Sequence, residues 1–166
     1  MTHERTRIKI CGLTREADVD AAVAAGADAI GFVFYDKSPR RISVERAAVL
    51  ASRLPAFVMP VGLFVNASPD AIDAAVAAIP QLLLQFHGDE TPQQCRAPRR
   101  AYLRAARMAA GFDLLDFASR FSDAHALLPT PMSRVTAAVE RSSIGRSFRP
   151  PSPVQSFCLV GCMPEM

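Results

Sequence analysis

Arg7-Ile8-Lys9-Ile10-Cys11-Gly12-Leu13-Thr14 reads as a short buried strand that ends on a thiol and passes straight into a helix. Ile8 and Ile10 alternate with Arg7 and Lys9 in the period of two that a strand imposes. Gly12 permits a tight turn, and Thr14 is placed to cap a helix running to about Ala25. In α/β enzymes this edge, where a strand gives way to a helix, is where the chemistry is kept. On chemistry alone a lone cysteine there is more often a small packed hydrophobe than a base or nucleophile. The surrounding segments decide between the two.

Outward from that stretch the same unit recurs. Strand-like apolar runs at Arg7–Cys11, Ala29–Phe34, Met59–Val65, Leu82–His87, Tyr102–Met108 and Ala126–Leu128 alternate with Ala-rich stretches of helical pattern. The helices are expected near 15–25, 44–54, 69–78, 92–97 and 112–121. Ser43, Ser68-Pro69-Asp70 and Thr91-Pro92 supply start signals, an N-cap followed in two cases by a first-turn proline. Strands alternating with helices specify a parallel sheet.

The 166 residues, half of them hydrophobic, suffice for one core. No apolar run reaches the roughly 18 residues a membrane span needs, and the charged N-terminus lacks a signal-peptide core. A net charge of +3, without basic blocks interleaved with aromatics, gives no reason to expect nucleic acid as a partner. Four scattered cysteines, at 11, 95, 158 and 162, do not make a secreted disulfide framework, so a reducing cytoplasm is the expected location.

Three further strand ends repeat the arrangement around Cys11. Gly31-Phe32-Val33-Phe34 leads to Lys37-Ser38-Pro39-Arg40, where the Arg40 guanidinium suits an anionic group. Val61-Gly62-Leu63-Phe64-Val65-Asn66 is the next, and Leu84-Gln85-Phe86-His87-Gly88-Asp89-Glu90 puts His87 at the level of Cys11. Asp113 and Asp116 read as a solvated helix face, Asp89 and Glu90 as acids favouring a helix N-terminus, and Cys95 as packing.

In order and spacing, the segments K-I-C-G-L-T, G-F-V-F with K-S-P-R, V-G-L-F-V-N and L-Q-F-H-G-D-E closely resemble the phosphoribosylanthranilate isomerases of tryptophan biosynthesis. The resemblance covers residues 7 to about 128. It implies a (βα)8 barrel that works without cofactor or metal on a small phosphosugar-anthranilate substrate. The implied reaction is an Amadori rearrangement of N-(5-phosphoribosyl)anthranilate to the 1-deoxyribulose 5-phosphate isomer. By position Cys11 matches the family's thiolate base, and Arg40 and His87 match residues of its substrate pocket.

The pattern breaks after Leu128. The family's general acid is an Asp ending the sixth strand, where this chain reads Leu127-Leu128-Pro129-Thr130-Pro131. Six of the 13 prolines lie between Pro129 and Pro164, and the phosphate-binding loops of strands seven and eight do not appear. Read one frame over, with suitable synonymous codons, Pro129 to Arg146 can spell Asp-Ala-His-Val-Glu-Gly-Tyr-Gly-Gly-Gly-Gly-Lys-Val-Phe-Asp-Trp-Ser. Residues 155–162 can likewise yield Val-Leu-Leu-Ser-Gly-Gly-Leu, which resembles the strand-seven phosphate loop. The expectation is an incomplete barrel of five to six βα units over residues 1–128, followed by an out-of-frame, disordered Pro/Arg/Ser-rich tail over 129–166. Such a chain lacks its acid and should be nearly inactive. Alternative readings are a non-catalytic fragment held by an open sheet edge, or a different phosphosugar enzyme on the same fold.

Overall fold

The computed structural model describes residues 6–131 and the backbone of 157–159. Strands and helices alternate as β1 (Arg7–Cys11), α1 (Glu16–Ala24), β2 (Ala29–Val33), α2 (Val44–Ala51), β3 (Met59–Phe64), α3 (Pro69–Ala78), β4 (Leu83–Phe86), α4 (Pro92–Arg96), β5 (Tyr102–Met108), α5 (Leu114–Arg120), β6 (Ala126–Pro131) and β7 (Phe157–Leu159). Every strand pairing is parallel, and the sheet runs β6-β5-β4-β3-β2-β1-β7. Consecutive strands through β6 are neighbours, the sequential order of a barrel sheet.

The starts of three helices follow from the sequence. Ser43 Oγ accepts from Arg46 N, Ser68 Oγ accepts from Ala71 N, and Thr91 with Gln94 forms a reciprocal capping box. Thr14 does not cap α1. Arg15 takes the cap position without a side-chain bond, and Glu16 and Asp18 instead meet the helix dipole in the first turn. Asp113 is no bystander on a solvated face: it caps α5, accepting from Leu115 N and Asp116 N.

Strand register sorts side chains onto two faces. Ile30, Phe32, Phe64, Leu84, Phe86 and Tyr102 pack outward beneath the helices in the main core. Phe34, half-buried just past β2, and the buried Phe64, Phe86 and Tyr102 of β3, β4 and β5 form a file of ring contacts, with centroids 5.2, 6.4 and 5.8 Å apart in turn. Full burial of each such ring contributes roughly 1.5–3 kcal/mol. The inner face carries a smaller cluster of Ala29, Val61, Leu103, Ala126 and Leu128. With both faces covered, the strands are parallel-sheet strands buried on two sides.

Two features lie past Leu128, where the sequence pattern stops. β6 continues through Pro131, with Thr130 and Pro131 paired to Arg107 and Met108. Residues 157–159, in a stretch read as tail, form β7 beside β1, with Arg7, Lys9 and Ile8 opposite Phe157, Leu159 and Cys158. These two pieces depart from a wholly irregular 129–166, because backbone pairing at a sheet edge needs only an extended chain and places little demand on sequence. Residues 132–156 and 160–166, which hold the rest of the expected out-of-frame tail, lie outside the described residues.

Candidate functional site

Cys11 ends β1, half-buried, and the chain turns on Gly12 at φ +87°. Gly12 N donates to Gly31 O at 2.8 Å, which ties the turn to β2. The next strand delivers Arg40 on a loop held by its own bonds: Ser38 N to Tyr35 O at 3.0 Å, Arg40 N to Ser38 Oγ at 3.2 Å and Arg41 N to Ser38 O at 3.1 Å. From there Arg40 Nη1 donates to Cys11 O at 2.9 Å. Its guanidinium lies across Gly12, where a Cβ would come within 2.6 Å of Nη1. The glycine is therefore needed twice, for its left-handed φ and for the passage of Arg40.

His87 follows β4 at the same edge of the sheet, its N donating to Phe64 O at 2.9 Å. It is half-buried, and among the described residues its imidazole has no hydrogen-bond partner. Burial first, then the positive charges of Arg107 and Arg104, hold its pKa below the ordinary imidazole value, against the opposing Glu90 carboxylate. A neutral ring is the result at pH 7. Cys11 and Arg40 are thus in contact, while His87 stands on the same rim without a bond to either.

The segment after His87 is not the helix-dipole pair that its acids suggest. Glu90 is buried, accepting from Asn66 N at 2.7 Å and Gly88 N at 2.9 Å, and it meets Arg104 Nη1 at 3.2 Å. Arg104 also donates to Phe86 O at 3.0 Å and Gly88 O at 2.9 Å, and its guanidinium carbon sits 4.9 Å from the Phe121 ring centre. Asp89 pairs with Arg107 at the surface. A cleft of about 550 Å³ opens between this loop and α5, lined by Arg104, Arg107, Phe112 and Phe117 among others. A second cavity, of about 190 Å³, lies at the opposite end of the inner face around Arg7, Lys9 and Phe57. Cys95 is packing: it is buried, and desolvation pushes its thiol up to about 12.

The sequence reading passed over Lys9. It shares the inner face with Cys11 and is 3% exposed, and its Nζ has no hydrogen-bond partner among the described residues. Its signal was the two-residue spacing from Cys11, which puts both side chains on one face. Among the described residues no cluster of three or more His, Cys, Asp or Glu is placed to hold a metal ion. Nor, among them, is any helix long and apolar enough to cross a membrane.

The family model for N-(5'phosphoribosyl)anthranilate (PRA) isomerase matches residues 8–141. The chain belongs to this family. A PRA isomerase of Methylibium petroleiphilum is 74% identical over 124 residues, covering 75% of this chain and 58% of that protein. The crystal structure of the Thermotoga maritima enzyme superposes with a TM-score of 0.74 at 34% identity, covering 83% of this chain and 67% of that one. A further PRA isomerase structure, in complex with reduced 1-(o-carboxyphenylamino)-1-deoxyribulose 5-phosphate, matches with a TM-score of 0.67 at 35% identity, covering 77% of this chain and 66% of that one. The chain thus spans somewhat over half the length of the curated PRA isomerases it resembles, and the family match over 8–141 takes in the strands from β1, save Arg7, to β6.

Proposed function

We propose that this chain carries the base-and-anchor half of a PRA isomerase site, with Cys11 as the base and Arg40 and His87 facing the substrate. The observation that carries this reading is the contact between Arg40 Nη1 and Cys11 O across Gly12, which ties a guanidinium to the backbone of the thiol-bearing residue at one strand edge. Arg40 spends one N–H on the Cys11 carbonyl, and its other donors have no protein partner among the described residues. They suit a carboxylate, such as that of an anthranilate ring. Neutral His87 accepts or donates a hydrogen bond to a sugar hydroxyl without adding charge.

In the proposed reaction an acid protonates the furanose ring oxygen, the bond from that oxygen to C1' breaks, and the nitrogen lone pair forms a C=N bond. The Cys11 thiolate removes the proton from C2'. The C2'–H electrons form the C1'=C2' bond, and the C=N electrons return to nitrogen, giving an enolamine. Loss of the enol O–H proton and protonation at C1' give the ketone. A positioned acid or base of this kind contributes about 10²–10⁴-fold to the rate.

The acid is the missing partner. In the family's pattern it follows Leu127-Leu128, and here that place holds Pro129, exposed and opposite Ala106 in the β5–β6 register. The proposal therefore extends to the gene. A one-base loss after the Leu128 codon, or a reading error equivalent to one, would remove the acid and the phosphate loops together and leave the Pro-rich composition of 129–166. The expected setting is cytoplasmic, with a small phosphosugar-anthranilate as substrate.

Two measurements test this. Resequencing across the codons for Ala126 to Arg134 should find either the extra base or a codon series that restores Asp and the glycine run when one base is added. The 166-residue chain, assayed by the loss of substrate fluorescence, should turn over at least about 10²-fold more slowly than the frame-restored chain. Cys11→Ala in the frame-restored chain should abolish most of the remaining rate. Full activity of the 166-residue chain, or of the Cys11→Ala variant, would sink the reading.

A further inference from the structure

Gly31 of β2 faces β1 between two side chains. A Cβ placed on it would stand 2.7 Å from Cys11 Sγ and 2.8 Å from Lys9 Nζ. The sulfur and the ammonium nitrogen are therefore separated by at most the sum of those two distances. They share the pocket that the missing side chain leaves. Lys9 and Cys11 alternate on β1, with Ala29 and Gly31 opposite them in register, so both project onto the inner face of the sheet.

The Lys9 ammonium is costly where it lies. Its side chain is 3% exposed, its neighbours in the inner cluster are Ala29, Val61, Leu103 and Leu128, and Nζ has no hydrogen-bond partner among the described residues. A buried charge without a partner is expelled, neutralised or matched by an opposite charge. Asp28, which lines the same cavity, is engaged by Arg7 Nη1 and Ile8 N, and the ionisable group that shares the space at Gly31 with the ammonium is the Cys11 thiol.

We propose that Lys9 is a positioning residue whose buried ammonium is the counter-charge of the Cys11 thiolate. The Lys9 ammonium approaches the sulfur on the inner face, and Arg40 holds the backbone of the same residue through its carbonyl. The other charged or titratable groups on the surrounding elements are Arg7 and Asp28, paired with each other beside the cavity that Lys9 lines, His87 after β4, its pKa held down by burial, Arg107 on β5, paired with Asp89, and the buried Arg104–Glu90 pair. Among these Lys9 alone is a buried cation lacking a hydrogen-bond partner beside the sulfur. An opposite charge at about 4–6 Å stabilises an ion by an amount equivalent to a 10–1,000-fold change in ionisation. The catalytic consequence rests on the reading of Cys11 as the base; the thiol chemistry does not.

The test uses the whole 166-residue chain and no substrate. Iodoacetamide alkylation of Cys11, with loss of iodide from the reagent, is followed by peptide-mapped mass spectrometry from pH 5 to 10. The midpoint of the pH profile is the readout, because intrinsic thiolate nucleophilicity falls as ionisation becomes easier. Cys11 in the folded chain should show a midpoint at least about one unit below that of the same chain unfolded in urea. Lys9→Met should remove most of that difference and slow alkylation near pH 6.5 by roughly ten-fold, whereas Lys9→Arg should retain the lowered midpoint. Coincident folded and urea profiles would overturn the proposal even if Lys9→Met fails to fold, and so would a folded Lys9→Met with the parent profile. A frame-restored chain that is inactive but still shows Lys9-dependent alkylation would defeat the isomerase reading and leave this one standing.

Discussion

Arg104 Nη1 lies 3.2 Å from Glu90 Oε2, with both side chains 5% exposed, and this buried ion pair anchors the loop that follows His87. Neither charge is left bare. Glu90 takes two backbone N–H groups as well, and Arg104 bonds two carbonyl oxygens and lies against Phe121. β3, β4 and β5 are thereby joined at their C-terminal edge through one carboxylate and one guanidinium.

Removing one partner of such a pair strands the other. Glu90→Ala is expected to destabilise the chain by about 3–5 kcal/mol in urea unfolding, because Arg104 then keeps a buried charge and Asn66 N and Gly88 N lose their acceptor. Loss of less than about 1 kcal/mol would mean that water reaches Arg104 and that the pair does not organise the loop.

Gly12→Ala adds a methyl that meets Arg40 Nη1 at 2.6 Å, at a φ of +87° that disfavours any side chain. About 1–2 kcal/mol is expected from the backbone alone, with a further cost from displacing Arg40. Combining Gly12→Ala with Arg40→Ala should cost less than the sum of the two single changes. Strict additivity in the double-mutant cycle would show that the two do not interact.

His87 gives stability a pH dependence of predictable sign. Its folded pKa is depressed, so between that value and the unfolded value near about 6.5 the unfolded chain binds more protons. The contribution of neutral His87 is complete above the unfolded value and is lost as pH falls toward the folded one. His87→Gln should therefore flatten the decline in unfolding free energy between pH 7 and 5. An unchanged slope would place the acid sensitivity elsewhere.

Cys95 should be silent toward alkylation in the folded chain at pH 8, since it is fully buried and its thiol is held near 12 by desolvation. Peptide mapping should show it modified only after denaturant is added. Modification of Cys95 at the rate of Cys11 in native buffer would indicate that the β4–β5 side of the core opens readily.

Capping at α5 is a smaller test. Asp113→Ala removes the acceptor of Leu115 N and Asp116 N and should cost about 1 kcal/mol in thermal or urea unfolding. Asp116→Ala, on the same helix, should cost far less.

The order of elements was legible in the sequence for local reasons. Ile8 and Ile10 alternate around Lys9, Ser43, Ser68 and Thr91 each stand where a helix must satisfy its first N–H groups, and all three caps form as read. Thr14 misled because α1 starts one residue later and meets its dipole with Glu16 and Asp18, two acids that serve where no side-chain cap does. Asp113 misled in the opposite way, since a helical pattern around it hid the fact that the helix begins with it.

The sequence by itself determined the alternation of strands and helices through β6, the starts of α2, α3 and α4, and which residues share a strand face with Cys11, because those depend on spacing and on hydrogen bonds a few residues long. Only the tertiary structure decided that Arg40, 29 residues on, reaches the Cys11 carbonyl, and that Arg104, 14 residues beyond Glu90, neutralises it. It also decided that Lys9 faces the interior and not solvent. Pleating fixes which side chains point the same way, but whether that side is wet or dry depends on the curl of a sheet built from strands far apart in the chain.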